Sequence, residues 1–351
     1  MRKILFLVVL LFASFSGYSR VKQVGPVIQL RPVNIKNVAY SPTGKFFAVP
    51  NMITAGSVGV FSVNQTGQIA AVPSRFSERD FFRSSGVFYY QEKNDESRVM
   101  AFLPLPELLS GYSVSFLPGG DTLAIAGGDK VLIYESANWK QIRTVTVTQN
   151  TSRAVFSPDG SLMAAVAKGR VYVLDAKTYS LIYSLDPAQG HLFADVAFSH
   201  SSSKLAIFEY RNLMMDYQSR IRIFDSRTGG HDRDLPYFSD KPGTAPGAHL
   251  PLLSYSAQDS AIAVTIEKTI MSKVLLVKSN DGTLIRQFKG FCHAFSPDGS
   301  LFAAGGRIYS TRNWKELGKY GNSAVCATFS PTERVLVVVT PESLKRFKIE
   351  E

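Results

Sequence analysis

Hydrophobic residues come in short runs closed by turn-forming residues, and the order of runs and turns repeats. One run ends in an aromatic, as in Ala154-Val155-Phe156, and Ser157-Pro158-Asp159-Gly160 follows it. Pro presets φ and Gly accepts a positive φ, so this tetrapeptide predicts a tight turn. A second apolar run comes next (Leu162–Val166, Leu205–Phe208, Leu301–Ala304), then a third (Val171–Leu174, Ile221–Phe224, Val274–Val277). Asp, Asn, Thr or Gly then turns the chain, as in Asp225-Ser226-Arg227-Thr228-Gly229 and Asn280-Asp281-Gly282. A fourth run closes the unit (Ile142–Val147, Leu181–Leu185, Leu284–Phe288). Runs this short between turn signals predict four β-strands per unit.

The unit recurs along the chain. His293-Ala294-Phe295-Ser296-Pro297-Asp298-Gly299 repeats it closely, and weaker copies surround Tyr40, Phe116, Phe198, Tyr255 and Phe329. The aromatic anchors at 40, 116, 156, 198, 255, 295 and 329 are separated by 76, 40, 42, 57, 40 and 34 residues. A gap of 76 is close to twice 38, so a degenerate copy is expected near Phe82-Arg83-Ser84-Ser85-Gly86. Four short strands in about 40 residues make one propeller blade, and a blade cannot bury both faces alone. The expectation is an all-β single β-propeller over residues 20–351, with eight blades favoured and seven the alternative. Leu344–Ile349 reads as the third strand of the last unit. Pro26–Pro32 is placed to supply its fourth, an N-terminal strand that closes the ring and protects the terminal edges.

The Phe-Ser-Pro-Asp-Gly turn and its flanking strands resemble the WD-repeat and TolB-type propeller families over nearly all of residues 20–351. The chain lacks the Trp-Asp dipeptide of true WD repeats, so the family's buried Asp-His-Ser-Trp network has no counterpart to assign. What the resemblance implies is a rigid platform for binding proteins or peptides.

The N-terminus changes the setting. Arg2 and Lys3 precede an apolar stretch, Ile4 to Phe15, and Gly17-Tyr18-Ser19 offers a small-x-small cleavage site. That stretch is too short to span a bilayer and reads as a signal peptide over residues 1–19. The expected location is periplasmic or secreted, and the protein is not expected to be integral to a membrane. The net charge of +11 falls by two to +9 without Arg2 and Lys3. The basic residues are scattered and make no nucleic-acid motif, so a nucleic-acid partner is not expected.

Candidate chemistry is sparse. None of the five histidines falls in a dense metal-ligand spacing, and no G-x-S-x-G elbow, P-loop or dinucleotide fingerprint is present. No catalytic residue, metal or cofactor is therefore assigned. His293 stands where other copies carry Val38, Val114, Ala154 or Val196, and reads as an interior or channel histidine. Asp159 and Asp298 read as turn formers. Gly127-Gly128 and Gly305-Gly306 hold matching places between second and third strands and read as tight turns. Cys292 and Cys326 each lie three residues before an anchor. Equivalent side chains on successive blades point the same way, so two packed thiols are favoured over a disulfide. Asn37, Ser113, Arg153 and Asp195 hold the same place in their copies, so the channel-lining expectation falls on them, as a solvated ring of mixed polarity.

Two connections are longer than the rest. Glu209–Ser219 reads as a loop between second and third strands, and His231–Pro251 as the link to the next unit. Both are rich in Tyr, Phe, Met and Arg, the types that dominate interface hot spots. The sequence thus points to a partner-binding patch of Tyr210, Arg211, Met214, Met215, Tyr217, Arg233, Tyr237, Phe238 and His249. The function expected is an exported, non-catalytic platform for a protein or peptide. The alternatives are a hydrolase or lactonase with a site at the central channel, and a structural accessory subunit of an envelope complex.

Overall fold

The computed structural model describes residues 20–29, 37–50, 57–62, 100–104 and 113–350, the last without 121, 138, 149, 214–215, 237, 241–251 and 267–271. Every regular element among them is a β-strand, and none is a helix long and apolar enough to cross a membrane. The chain leads with β1 (Val21–Gln29). Sheet I holds β2 (Ala39–Tyr40), β3 (Phe46–Pro50), β4 (Ser57–Ser62) and β5 (Met100–Pro104). Sheet II holds β6 (Ser113–Phe116), β7 (Leu123–Gly127), β8 (Lys130–Tyr134) and β9 (Gln141–Thr146). Sheet III holds β10 (Thr151–Phe156), β11 (Leu162–Ala167), β12 (Arg170–Asp175) and β13 (Leu181–Leu185). Sheet IV holds β14 (Leu192–Phe198), β15 (Lys204–Leu213), β16 (Asp216–Asp225) and β17 (His231–Asp234), with β18 (Phe238–Asp240) added. Sheet V holds β19 (Leu253–Tyr255), β20 (Ala261–Ile266), β21 (Lys273–Lys278) and β22 (Leu284–Lys289). Sheet VI holds β23 (His293–Phe295), β24 (Leu301–Ala304), β25 (Arg307–Ser310) and β26 (Glu316–Lys319). β27 (Cys326–Phe329), β28 (Val335–Val339) and β29 (Ser343–Ile349) form sheet VII, and β1 pairs with β29 as its fourth strand. Within each sheet the strands are antiparallel.

Each of the seven anchor aromatics is the last residue of a first strand. The serine behind the anchor explains why the turn recurs. Its side chain is buried in sheets I, III, IV, V, VI and VII. The hydroxyl accepts the N–H five residues on: Leu162 N to Ser157 Oγ at 2.9 Å, Lys204 N to Ser199 Oγ at 2.9 Å, and Leu301 N to Ser296 Oγ at 2.9 Å. The same bond recurs at Phe46 and Ala261, so a donor is satisfied at the start of these second strands, whereas Ser330 of sheet VII takes Thr332 N and Glu333 N instead. Asp159 adds a second lock, taking Ser161 N at 3.0 Å and Ser161 Oγ at 2.8 Å, while Gly160 sits at φ +70°. Burial opposes ionisation of Asp159, but the Ser157 and Ser161 donors outweigh it and hold the carboxyl below its ordinary value.

The core lies between sheets rather than within any one of them. Every residue of β11, β20, β24 and β28 is buried, whereas the fourth strands β9, β13 and β22 are mostly exposed. One cluster joins Ala164 and Val173 of sheet III to Val196 and Ile207 of sheet IV, and another joins Phe208 and Ile221 to Leu253 and Val264 of sheet V. Burying a side chain such as Phe208 contributes about 1.5–3 kcal/mol, and its cluster draws on sheet V as well as on its own sheet. First strands meet in succession: β2 touches β6, β6 touches β10, β10 touches β14, β14 touches β19, β19 touches β23 and β23 touches β27. β27 in turn touches β2.

Several expectations are corrected. Glu209–Ser219 is not a loop, because β15 and β16 continue through it, paired from Lys204↔Asp225 to Leu213↔Asp216. His231–Pro251 is not all linker: its first four residues are the outer strand β17. The strand added to the last unit is Val21–Gln29, five residues earlier than Pro26 at its start. The described residues make seven sheets, and the copy expected at Phe82–Gly86 lies outside them.

Candidate functional site

Sheet IV departs from the others at the ends of its second and third strands. β15 and β16 each run for ten residues, while β14 pairs with β15 only as far as Tyr210, opposite Leu192. Beyond that point the hairpin leaves the sheet. β18 then returns and pairs with β16 through Ser219↔Phe238, Gln218↔Ser239 and Tyr217↔Asp240. The two long insertions are thus hydrogen-bonded into one three-stranded ribbon of β15, β16 and β18.

A closed set of charges fixes the ribbon's base. Glu209 is fully buried and accepts the Arg220 Nε–H, while Arg222 Nη1 lies 3.4 Å from its Oε1. Asp234 takes the other end of both cations, Arg220 Nη1 at 2.8 Å and Arg222 Nε at 3.2 Å. Ala188 N donates to Glu209 at 2.8 Å, and His231 Nε2 stands 2.7 Å from Asp234. Two acids and two guanidiniums, each touching both opposites, satisfy one another without net charge. Burial opposes ionisation of Asp234, but the His231 bond and the two guanidiniums outweigh it and hold the carboxyl low. Sequence reasoning missed this set. Arg220-x-Arg222 facing Glu209 is its only trace, and it needs the hairpin register to be seen.

The expected patch residues divide. Tyr210 is half-buried against the core between sheets IV and V, and burial raises its phenol above the ordinary value. Arg233 donates to Asn280 O of sheet V at 3.0 Å and pairs with Asp232, so it ties two sheets together. Arg211 is half-exposed on β15, opposite Gln218. Tyr217 and Phe238 belong to the strands that form the ribbon, opposite Asp240 and Ser219. Met214, Met215, Tyr237 and His249 lie outside the described residues.

The residues expected to form a solvated ring are instead mostly buried, at 1% exposure for Asp195 and Ser113 and 9% for Asn37. Asn37 accepts Val114 N at 3.1 Å and donates to Val114 O at 2.6 Å. Asp195 accepts Leu253 N at 2.7 Å through one oxygen, and its other lies 3.1 Å from Arg153 Nε. Asn37 and Asp195 each stand three residues before their own anchor and reach the backbone two residues before the next anchor. These two side chains are drawn out of water because they satisfy the neighbouring sheet's first strand. Burial outweighs the Arg153 guanidinium and raises the Asp195 carboxyl above its ordinary value.

His293 is another such tie. Its Nε2 lies 2.9 Å from Ser254 Oγ and its Nδ1 2.8 Å from Thr265 Oγ1, both on sheet V. Burial, reinforced by the nearby Arg153 charge, pushes the imidazole down to about 3. A hydroxyl beside an imidazole is the start of a nucleophilic site. Here the imidazole is a weak base near neutrality, and a threonine hydroxyl stands where a carboxylate would raise its basicity. Cys292 and Cys326 are free, buried thiols, with burial pushing Cys292 up to about 12. Among the described residues no three His, Cys, Asp or Glu side chains gather as a metal site. No protein-family model and no curated protein matches this chain.

Proposed function

We propose that this chain is an exported, non-catalytic β-propeller that binds a protein or peptide partner through the ribbon of β15, β16 and β18. The observation that carries this reading is the pairing of β18 with β16, which joins two separate insertions into one element standing beyond sheet IV. Its residues include Arg211, Tyr217 and Phe238, types that anchor interfaces. The closed charge set at its base, centred on buried Glu209, makes a rigid root, so a partner would meet a preorganised surface. Ring closure is supported by the contact of β27 with β2 and by β1 completing sheet VII. The seven described sheets support seven blades. Export rests on residues 1–19, and the N-terminal sequence of the mature protein tests it.

The binding reading is tested by replacing Arg211, Tyr217 and Phe238 together with Ala, leaving Tyr210 to its place in the core. Affinity capture from an envelope extract should then lose the bound protein while the melting curve is unchanged. Capture of the same protein by a folded triple variant ends the reading.

A further inference from the structure

A cleft of about 440 Å³ opens between sheets V and VI, far along the chain from the ribbon. One wall is a continuous stretch of backbone, Arg286 to Phe291, that includes most of β22; the other carries Arg307 and Tyr309 of β25. Its floor is set by glycine. A Cβ on Gly305, whose φ is +58°, would stand 2.1 Å from Lys289 O, and one on Gly290 would stand 2.7 Å from Gly305 Cα. The two backbones can meet only because neither residue has a side chain, and the cleft begins where they part.

The lining is one-sided in charge. Arg286, Lys289 and Arg307 are cationic, and no described residue of the lining is acidic. The Arg286 guanidinium lies over the rings of Phe288 and Tyr309, 5.6 Å and 5.4 Å from their centroids, and its Nη1 donates to Trp314 O at 3.2 Å. Held this way, it loses little freedom on meeting an anion. Arg307 Nη1 donates to Glu316 at 2.6 Å, one of its five N–H groups. Apolar surface runs alongside: Phe291 is 44% exposed, Leu284 55% and Ile285 38%.

β22 is also the last strand of its sheet. Its outward N–H and C=O groups form an edge that an extended segment can join. The lined stretch of six residues is about 20 Å long at the rise of a strand. That is too long for one small anion and suited to a short peptide. We propose that this cleft binds an extended acidic peptide segment, which adds to the edge of β22 and places carboxylates against Arg286, Lys289 and Arg307. This site is independent of the ribbon, and either can fail without the other.

The test is fluorescence anisotropy with a fluorescein-labelled octapeptide of alternating Glu and Val, against the same peptide with Gln for Glu. Wild-type protein should bind the Glu peptide at least tenfold more tightly than the Gln peptide. Lys289→Glu combined with Arg307→Gln should weaken it at least tenfold further, while Lys45→Glu on sheet I changes nothing. Hydrogen exchange on the wild-type protein gives a second readout, in which the peptide should slow exchange of β22 amides. No binding, equal binding of both peptides, equal weakening by Lys45→Glu, or unchanged β22 exchange overturns the proposal. So does binding of polygalacturonate, lost in the double variant, where the Glu peptide does not bind.

Discussion

A buried histidine that meets only hydroxyl groups makes this fold sensitive to acid. The unfolded chain carries His293 at an ordinary value near 6.5, whereas burial and Arg153 hold it at about 3 in the fold. The folded value is depressed, so the unfolded state binds the extra proton between these limits. Stability contributed by the neutral ring is complete above about pH 6.5 and is lost as pH falls toward 3. One proton per molecule costs at most about 1.4 kcal/mol per pH unit. Urea unfolding at pH 7 and pH 5 should therefore show a loss about 2 kcal/mol larger in the wild type than in His293→Gln, which keeps a donor and an acceptor for Ser254 and Thr265. Equal losses would mean that the ring is charged in the fold. Its position in the repeat marked His293 as an interior or channel residue, and the structure buries it. Its partners were out of reach, because Ser254 precedes it by 39 residues and belongs to another sheet.

At the scale of elements, the strands were largely legible and their lengths were not. The turn signature fixed where first strands end, because Ser, Pro, Asp and Gly act within five residues. It carried nothing about β15 and β16, which extend by pairing with each other as far as Leu213↔Asp216, with β18 added on β16. The same limit applied to the two ends of the chain. A fourth strand for the last sheet was expected from the N-terminal region, and β1 supplies it with Val21 opposite Ile349 and Gln29 opposite Ser343. Removing residues 20–29 bares the edge of β29 and takes buried Val21 out of the sheet VI and VII cluster. Scanning calorimetry of that deletion should show a midpoint lower by roughly 10 °C, since a chain of this size loses about 2–4 °C per kcal/mol. A midpoint within about 2 °C of the full protein would show that β1 adds little to sheet VII.

For the whole molecule, the seven sheets of the described residues share their cores pairwise and have two possible ends, an open stack or a closed ring. The contact of β27 with β2 is what favours the ring. A compact chain of residues 20–351 has a radius of gyration of about 20 Å. Small-angle scattering should return that value, and a stack with free ends would scatter as a longer body.

By itself the sequence determined that the chain is all β, that its unit is four strands, and that the first strand of a unit ends in an aromatic before a tight turn. These are short-range matters of side-chain volume, φ and hydrogen bonds within a few residues. Only the tertiary structure decided which polar residues become ties between sheets and which insertions become one ribbon. Asn37 and Val114 are 77 residues apart, and β16 finds β18 across an intervening outer strand. The polar ties exist only once neighbouring sheets have docked, because a buried polar group is held by whatever partner the next sheet brings to it.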